Sequence, residues 1–282
     1  MENITWEYCQ NNSDLILACG IDILLKSNEI TELNQLYNNP GNYLISHNKK
    51  YYYIGEAKEL RKRIKQQFTN KTSTFYKNYL KSLKYFELDK IPILEFNLNV
   101  ISTQIGRKEI EEFAIVNLGT KLNKFQRGKR ELVKVEIKQN IWHKIQENAE
   151  NLLEQGENIL FNQPFLSWFD SKPTREPGIY IVKDNKESLI YIGESSNVFD
   201  RYTTHCGTTY FSALRRHIGT EILDFNFIDS KKRKFKASDD NKINEYLRVC
   251  KYSSMPIHFG RFELESFLIK KHQPLLNRKD NK

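Results

Sequence analysis

Short runs rich in aromatic and β-branched residues, each broken by turn-forming polar residues, occur in two parts of this chain. In the C-terminal part, Gly178–Lys183 and Leu189–Ile192 flank Asp184-Asn185-Lys186, a pattern that predicts a β-hairpin. Ser195-Ser196-Asn197 then offers capping hydroxyls and an amide ahead of a helix carrying Arg201. The N-terminal part repeats this more tightly. Asn42–Ile45 and Tyr51–Ile54 enclose a His47-Asn48-Lys49 turn, and a helix begins at about Lys58. Further helices are expected near Thr74–Phe86 and Tyr210–Leu223, and third strands near Leu94–Val100 and Ile257–Phe259. The last helix of each part carries Glu111 or Glu265. Residues 1–37 read as a helical lead-in, 38–125 as one domain, 126–172 as a helical connector and 173–282 as a second domain. Within the connector the helical pattern covers Gln139–Glu154 and stops at Gly156, with Pro173 and Pro177 beyond it.

The two parts share more than element order. Gly178-Ile179-Tyr180 precedes Tyr191-Ile192-Gly193, and Arg201 lies ten residues after Tyr191. Gly41-Asn42-Tyr43 precedes Tyr53-Ile54-Gly55, and Arg63 lies ten residues after Tyr53. Glu265 and Asn277 are twelve residues apart, as are Glu111 and Asn123. Gly106-Arg107 and Gly260-Arg261 stand at the same distance before the two glutamates. The interval from arginine to glutamate differs, 48 residues against 64, and the extra length holds the Lys231–Lys236 run and a helix near Asn241–Val249.

A carboxylate on a helix is a good single anchor for Mg²⁺, which takes oxygen ligands and keeps several waters. Arginine offers phosphate oxygens a fixed fork of donors and stays charged at any working pH. Paired tyrosines on adjacent strands have hydroxyls that a nearby arginine and metal would make more acidic. These residue types suit phosphodiester hydrolysis, although spacing by itself does not assign their roles.

The ordered series resembles the GIY-YIG nuclease family, present as two copies that together cover about two-thirds of the chain. The resemblance implies an α+β fold in each domain, a small antiparallel sheet flanked by helices. It also implies that Tyr180 and Tyr191 flank the attacking water, with Tyr180 as general base, and that Arg201 contacts the scissile phosphate. Glu265 would bind Mg²⁺ or Mn²⁺, Asn277 would close the site, and His205 would assist proton transfer or bind phosphate. The same carry-over assigns Tyr43, Tyr53, Arg63, Glu111 and Asn123 in the first copy, with Glu111 as its metal ligand. That copy departs from the pattern at Asn42, at Gln67 in the histidine position, and at Thr120 where the second copy has Pro274.

Charge adds a partner to this picture. The chain has 282 residues and a formal net charge of +9, so a polyanion such as double-stranded DNA is favoured. Residues 58–84 hold nine lysines and arginines against the single acid Glu59; Lys58, Arg61, Lys62 and Lys65 are candidates for backbone phosphate contacts. Lys231, Lys232, Arg233 and Lys234 are candidates beside the second site, with a solvated loop as the plain alternative. Trp142 and Trp168 read as core residues rather than base-stacking platforms. Four cysteines without a C-x-x-C pair give neither a zinc knuckle nor a disulfide framework. Neither a signal peptide nor a membrane span is visible, so a cytoplasmic monomer or homodimer is expected. The expectation is a Mg²⁺-dependent DNA endonuclease in restriction or phage defence, each domain cutting one strand. Its rivals are a structure-specific repair or recombination nuclease with only the C-terminal site active, and a non-catalytic DNA-binding protein.

Overall fold

The computed structural model describes residues 4–30, 32–84, 90–123, 141–207 and 209–277. The chain divides into two compact units, Met1–Glu150 and Asn151–Lys282. Both combine helices with a small antiparallel sheet, an α+β organisation. Among the described residues, no helix is long and apolar enough to cross a membrane.

In the first unit, α1 (Trp6–Asn11) and α2 (Ser13–Lys26) precede β1 (Gly41–His47) and β2 (Lys50–Ala57). Asn48 and Lys49 both adopt positive φ, 50° and 59°, which gives the hairpin a two-residue turn whose twist matches its strands. Helices α3 (Leu60–Thr69) and α4 (Thr74–Leu83) follow, then β3 (Asn97–Ser102), α5 (Arg107–Asn117) and α6 (Ile141–Glu147). The strand order is β2-β1-β3, and the sheet packs with Ile64, Phe68, Phe75 and Phe96 in one core. Trp142 is buried and packs on Gly20 of α2.

The second unit begins within α7 (Ala149–Phe161) and continues through β4 (Leu166–Ser167), β5 (Gly178–Lys183), β6 (Leu189–Ser195) and α8 (Val198–Cys206). After α9 (Ala213–His217) and a π-helical turn at Ile218–Ile222 come α10 (Ala237–Arg248), β7 (Lys251–Pro256) and α11 (Arg261–His272). The sheet order is β4-β7-β5-β6. Asp184 Oδ1 accepts from the amides of Lys186 and Ser188, which closes the β5–β6 turn, and Asn197 caps α8 by accepting from Asp200 N.

Several expected boundaries move. The third strand of the second unit is Lys251–Pro256, and Ile257–Gly260 instead turns the chain into α11, with Gly260 at φ 83° as its N-cap. Gly106, at φ 91°, does the same for α5; a side chain at either position would strain a left-handed backbone. The expected helix at Gln139–Glu154 is two helices, α6 and α7, with residues 139–140 and the earlier part of the connector outside the described residues. Gly156 does not stop α7, because Leu152 and Leu160 continue the buried face past it. The helix expected near Tyr210–Leu223 is split into a 3₁₀ turn, α9 and the π turn. The expected Thr74–Phe86 helix runs to Leu83, with residues 85–86 outside the described set. Trp168, expected in the connector, is buried in the core of the second unit against Tyr202 and Tyr252.

The register of each hairpin explains a glycine. Tyr180 lies opposite Gly193, and a Cβ on Gly193 would sit 2.3 Å from the Tyr180 hydroxyl. Tyr43 and Gly55 repeat this opposition and this distance. Gly193→Ala is therefore expected to displace the Tyr180 ring and cost about 1–3 kcal/mol. Chemical denaturation of the variant checks this; an unchanged midpoint would contradict the packing.

Candidate active site

In the second unit, β5 and β6 bring Tyr180 and Tyr191 together, with ring centroids 6.1 Å apart. Tyr180 is 1% exposed, and Tyr191 is half-buried. His205, on α8, is buried and places Nε2 2.8 Å from the Tyr180 hydroxyl and Nδ1 2.6 Å from Ser212 Oγ. Ser212 also caps α9 by accepting from Arg215 N, so the histidine is clamped between a strand and the next helix. A neutral imidazole carries one ring proton, so it donates to one of these hydroxyls and accepts from the other.

Burial, reinforced by Arg201, Arg215 and Arg216, holds the His205 pKa down at about 3. The histidine is thus neutral near pH 7. Burial also raises both tyrosines, Tyr180 well above its ordinary value; Arg201 pulls each back, but less than burial pushes. Desolvation of the phenolate outweighs the pull of the arginine on both hydroxyls. That leaves Tyr180 a buried neutral phenol in this structure.

Glu265, on α11, is half-buried, and its Oε1 accepts from Glu194 N at 3.0 Å. Its charge acts on the Tyr191 hydroxyl. Asn277 holds the far edge of β6 by exchanging two hydrogen bonds with Ile192, Oδ1 accepting from N and Nδ2 donating to O. Its role here is to fix the strand that carries Tyr191. Arg201, half-buried, acts electrostatically on Tyr180, Tyr191 and His205, so α8, β5, β6 and α11 converge on one site.

Three contributors are not apparent from the sequence. Arg215 is buried and donates to His205 O, Asn244 Oδ1 and Asp240 Oδ1, fixing the floor under the histidine. Arg261 donates from Nε to Glu194 Oε2 at 2.7 Å, tying the start of α11 to β6. Arg216 senses both Tyr191 and Arg233, which links the basic run to the site. A signal for the second of these exists: Glu56 and Glu194 both follow the Tyr-Ile-Gly motif, and Arg107 and Arg261 both follow the capping glycine. In the first unit the corresponding atoms, Arg107 Nη1 and Glu56 Oε2, are 3.6 Å apart.

The first unit assembles a parallel set. Tyr43 and Tyr53 have ring centroids 6.2 Å apart, and burial raises both hydroxyls. Gln67 Nε2 donates to the Tyr43 hydroxyl at 2.8 Å, the same separation that His205 keeps from Tyr180. Gln67 thus preserves the hydrogen bond without an ionisable ring. Asn123 exchanges two bonds with Ile54 as Asn277 does with Ile192. Arg63 is half-buried and acts on both tyrosines. Glu111 differs from Glu265: it is buried, and its Oε2 accepts from Lys108 Nζ at 2.6 Å.

The basic candidates divide. Arg61 donates to Leu33 O and Asn34 O, so it ties α3 to the preceding turn, and Lys62 pairs with Glu59 at 2.7 Å. All four candidates, Lys58, Arg61, Lys62 and Lys65, are exposed. Lys231, Lys232, Arg233 and Lys234 are exposed, yet their turn is anchored. Lys234 O and N bond Ile228 and Asp229, and Phe235 plugs into the core. Lys232 and Lys234 line a cavity of about 580 Å³ with Tyr210, Phe211 and Asp240.

Among the described residues, no group of three or more His, Cys, Asp or Glu is placed to hold a metal. A single carboxylate fixed by a backbone amide, beside an arginine and a tyrosine hydroxyl, still fits Mg²⁺, whose other positions go to waters and phosphate oxygens. The position one turn before Glu265 on α11 is Phe262 rather than a lysine.

The depressed histidine pKa has a consequence for stability. Between pH 6.5 and about 3 the unfolded chain binds a proton at position 205 and the folded chain does not, so this residue removes stability as pH falls through that window. The slope is at most about 1.4 kcal/mol per pH unit. His205→Gln, which imitates Gln67, is expected to flatten the fall in urea midpoint between pH 7 and 5. An identical slope in the variant would show that His205 is not held neutral.

No curated protein sequence matches the chain. Residues 158–282, which contain Tyr180, Tyr191, Arg201, His205, Glu265 and Asn277 but none of the first unit's site, match the GIY-YIG catalytic domain, a nuclease family.

Proposed function

We propose that the protein is a Mg²⁺-dependent DNA endonuclease whose second unit hydrolyses the phosphodiester bond. The observation that supports this most is the convergence of Tyr180, Tyr191, Arg201, His205 and Glu265 from four elements onto one site. Arg201 binds the scissile phosphate and offsets charge on it in the transition state. Tyr191, half-buried, meets the attacking water, and Tyr180, locked by His205, keeps the Tyr191 ring in place. Glu265 would hold the metal, which when bound neutralises charge on the phosphoryl group. His205, neutral and clamped, positions Tyr180 and does not act as a cationic phosphate ligand.

DNA reaches the site along the cations of the second unit. Arg216 lies within the fields of Tyr191 and Arg233, so the basic run continues the positive surface from the reacting centre. A role in restriction or phage defence fits a basic nuclease chain of this size. Mapping cut ends on a defined phage genome separates that role from structure-specific cutting, which would ignore linear duplex and favour branched DNA.

Glu265→Gln should abolish cleavage while leaving duplex binding near that of the parent, because it removes a metal ligand and leaves the phosphate-binding cations in place. Near-normal cutting by the folded variant would remove Glu265 from the mechanism. Serine at Lys231, Lys232, Arg233 and Lys234 should weaken binding and flatten its salt dependence, the log–log slope falling by about 0.9 for each DNA phosphate the variant no longer neutralises. An unchanged slope would assign the run to solvent.

A further inference from the structure

The two units present the same carboxylate position with different neighbours. Glu265 is preceded by Phe262 at i−3, and Glu111 by Lys108. Lys108 Nζ stands 2.6 Å from Glu111 Oε2, within one turn of α5, and the lysine side chain is 26% and the glutamate side chain 12% exposed.

A divalent ion at Glu111 would therefore have to displace an ammonium that already supplies positive charge at hydrogen-bonding distance. The displaced ammonium would remain in a partly buried space beside the incoming ion, with like charges repelling at low effective dielectric.

We propose that the first unit carries a lysine-occupied, metal-free form of the site, in which Lys108 takes the place of the divalent ion at Glu111. This inference rests on the reading of Glu265 as the metal ligand of the second unit, and the test separates the two. Mn²⁺ titrated into the full chain, with free ion followed by its EPR signal, counts sites directly. One ion is expected for the parent, none for Glu265→Gln, and one for Glu111→Gln. Lys108→Phe, which copies the second unit, should bind one ion more than the parent. Loss of an ion in Glu111→Gln, or no added ion in a Lys108→Phe chain that melts cooperatively, overturns the proposal. Retention of the parent's ion by Glu265→Gln instead overturns the reading of Glu265, while the Lys108→Phe increment still decides the first unit.

Discussion

The interaction on which each site depends is a tyrosine ring laid across the glycine of the neighbouring strand. Tyr180 covers Gly193 and Tyr43 covers Gly55, with the hydroxyl standing where a Cβ would otherwise be. The ring is then trapped from the far side by His205 or Gln67, each 2.8 Å from the hydroxyl. Because the tyrosine is held on both faces, its partner on the second strand is fixed as well. Asn277 and Asn123 lock the backbone of those strands from below. The result is a pair of rigid hydrogen-bonding surfaces whose chemistry is decided by what is added around them.

Around the second site are a helix-borne arginine, a clamped neutral histidine and a glutamate anchored on Glu194 N. Burial rather than charge sets the protonation of this set: both tyrosines and His205 are kept neutral, and Arg201 moderates the tyrosines without reversing the effect. Around the first site the frame is retained, but an ammonium supplies the local cation. One turn before the glutamate, Lys108 of the first unit stands where the second has Phe262, while Gln67 keeps the bond to the tyrosine that His205 makes.

Much of this is legible in the sequence, for reasons that can be named. The hairpins are visible because turn chemistry and strand-forming runs are local, and the tyrosine, arginine, glutamate and asparagine intervals select which side chains converge. The third strand of the second unit is harder to place because Ile257 and Phe259 alternate in the way a strand would, while the true strand, Lys251–Pro256, is disguised by its serines; Ser253 is buried. Gly156 misleads because a glycine within a helix looks like a stop unless the apolar face beyond it is counted. The Lys108–Glu111 pair is written at helical i,i+3 spacing, yet assigning the glutamate to a metal draws attention away from its neighbour. His205 can be placed from sequence but its charge cannot, since burial and the fields of Arg215 and Arg216 exist only in the folded chain.

On the proposed account the second unit cuts and the first does not. Supercoiled plasmid exposed to purified Glu111→Ala and Glu265→Ala chains in Mg²⁺ tests that division most directly. The expected result is that Glu111→Ala still produces double-strand breaks and that Glu265→Ala leaves the plasmid supercoiled. Two nickases acting on opposite strands of one site would contradict it, and would return hydrolysis to both units.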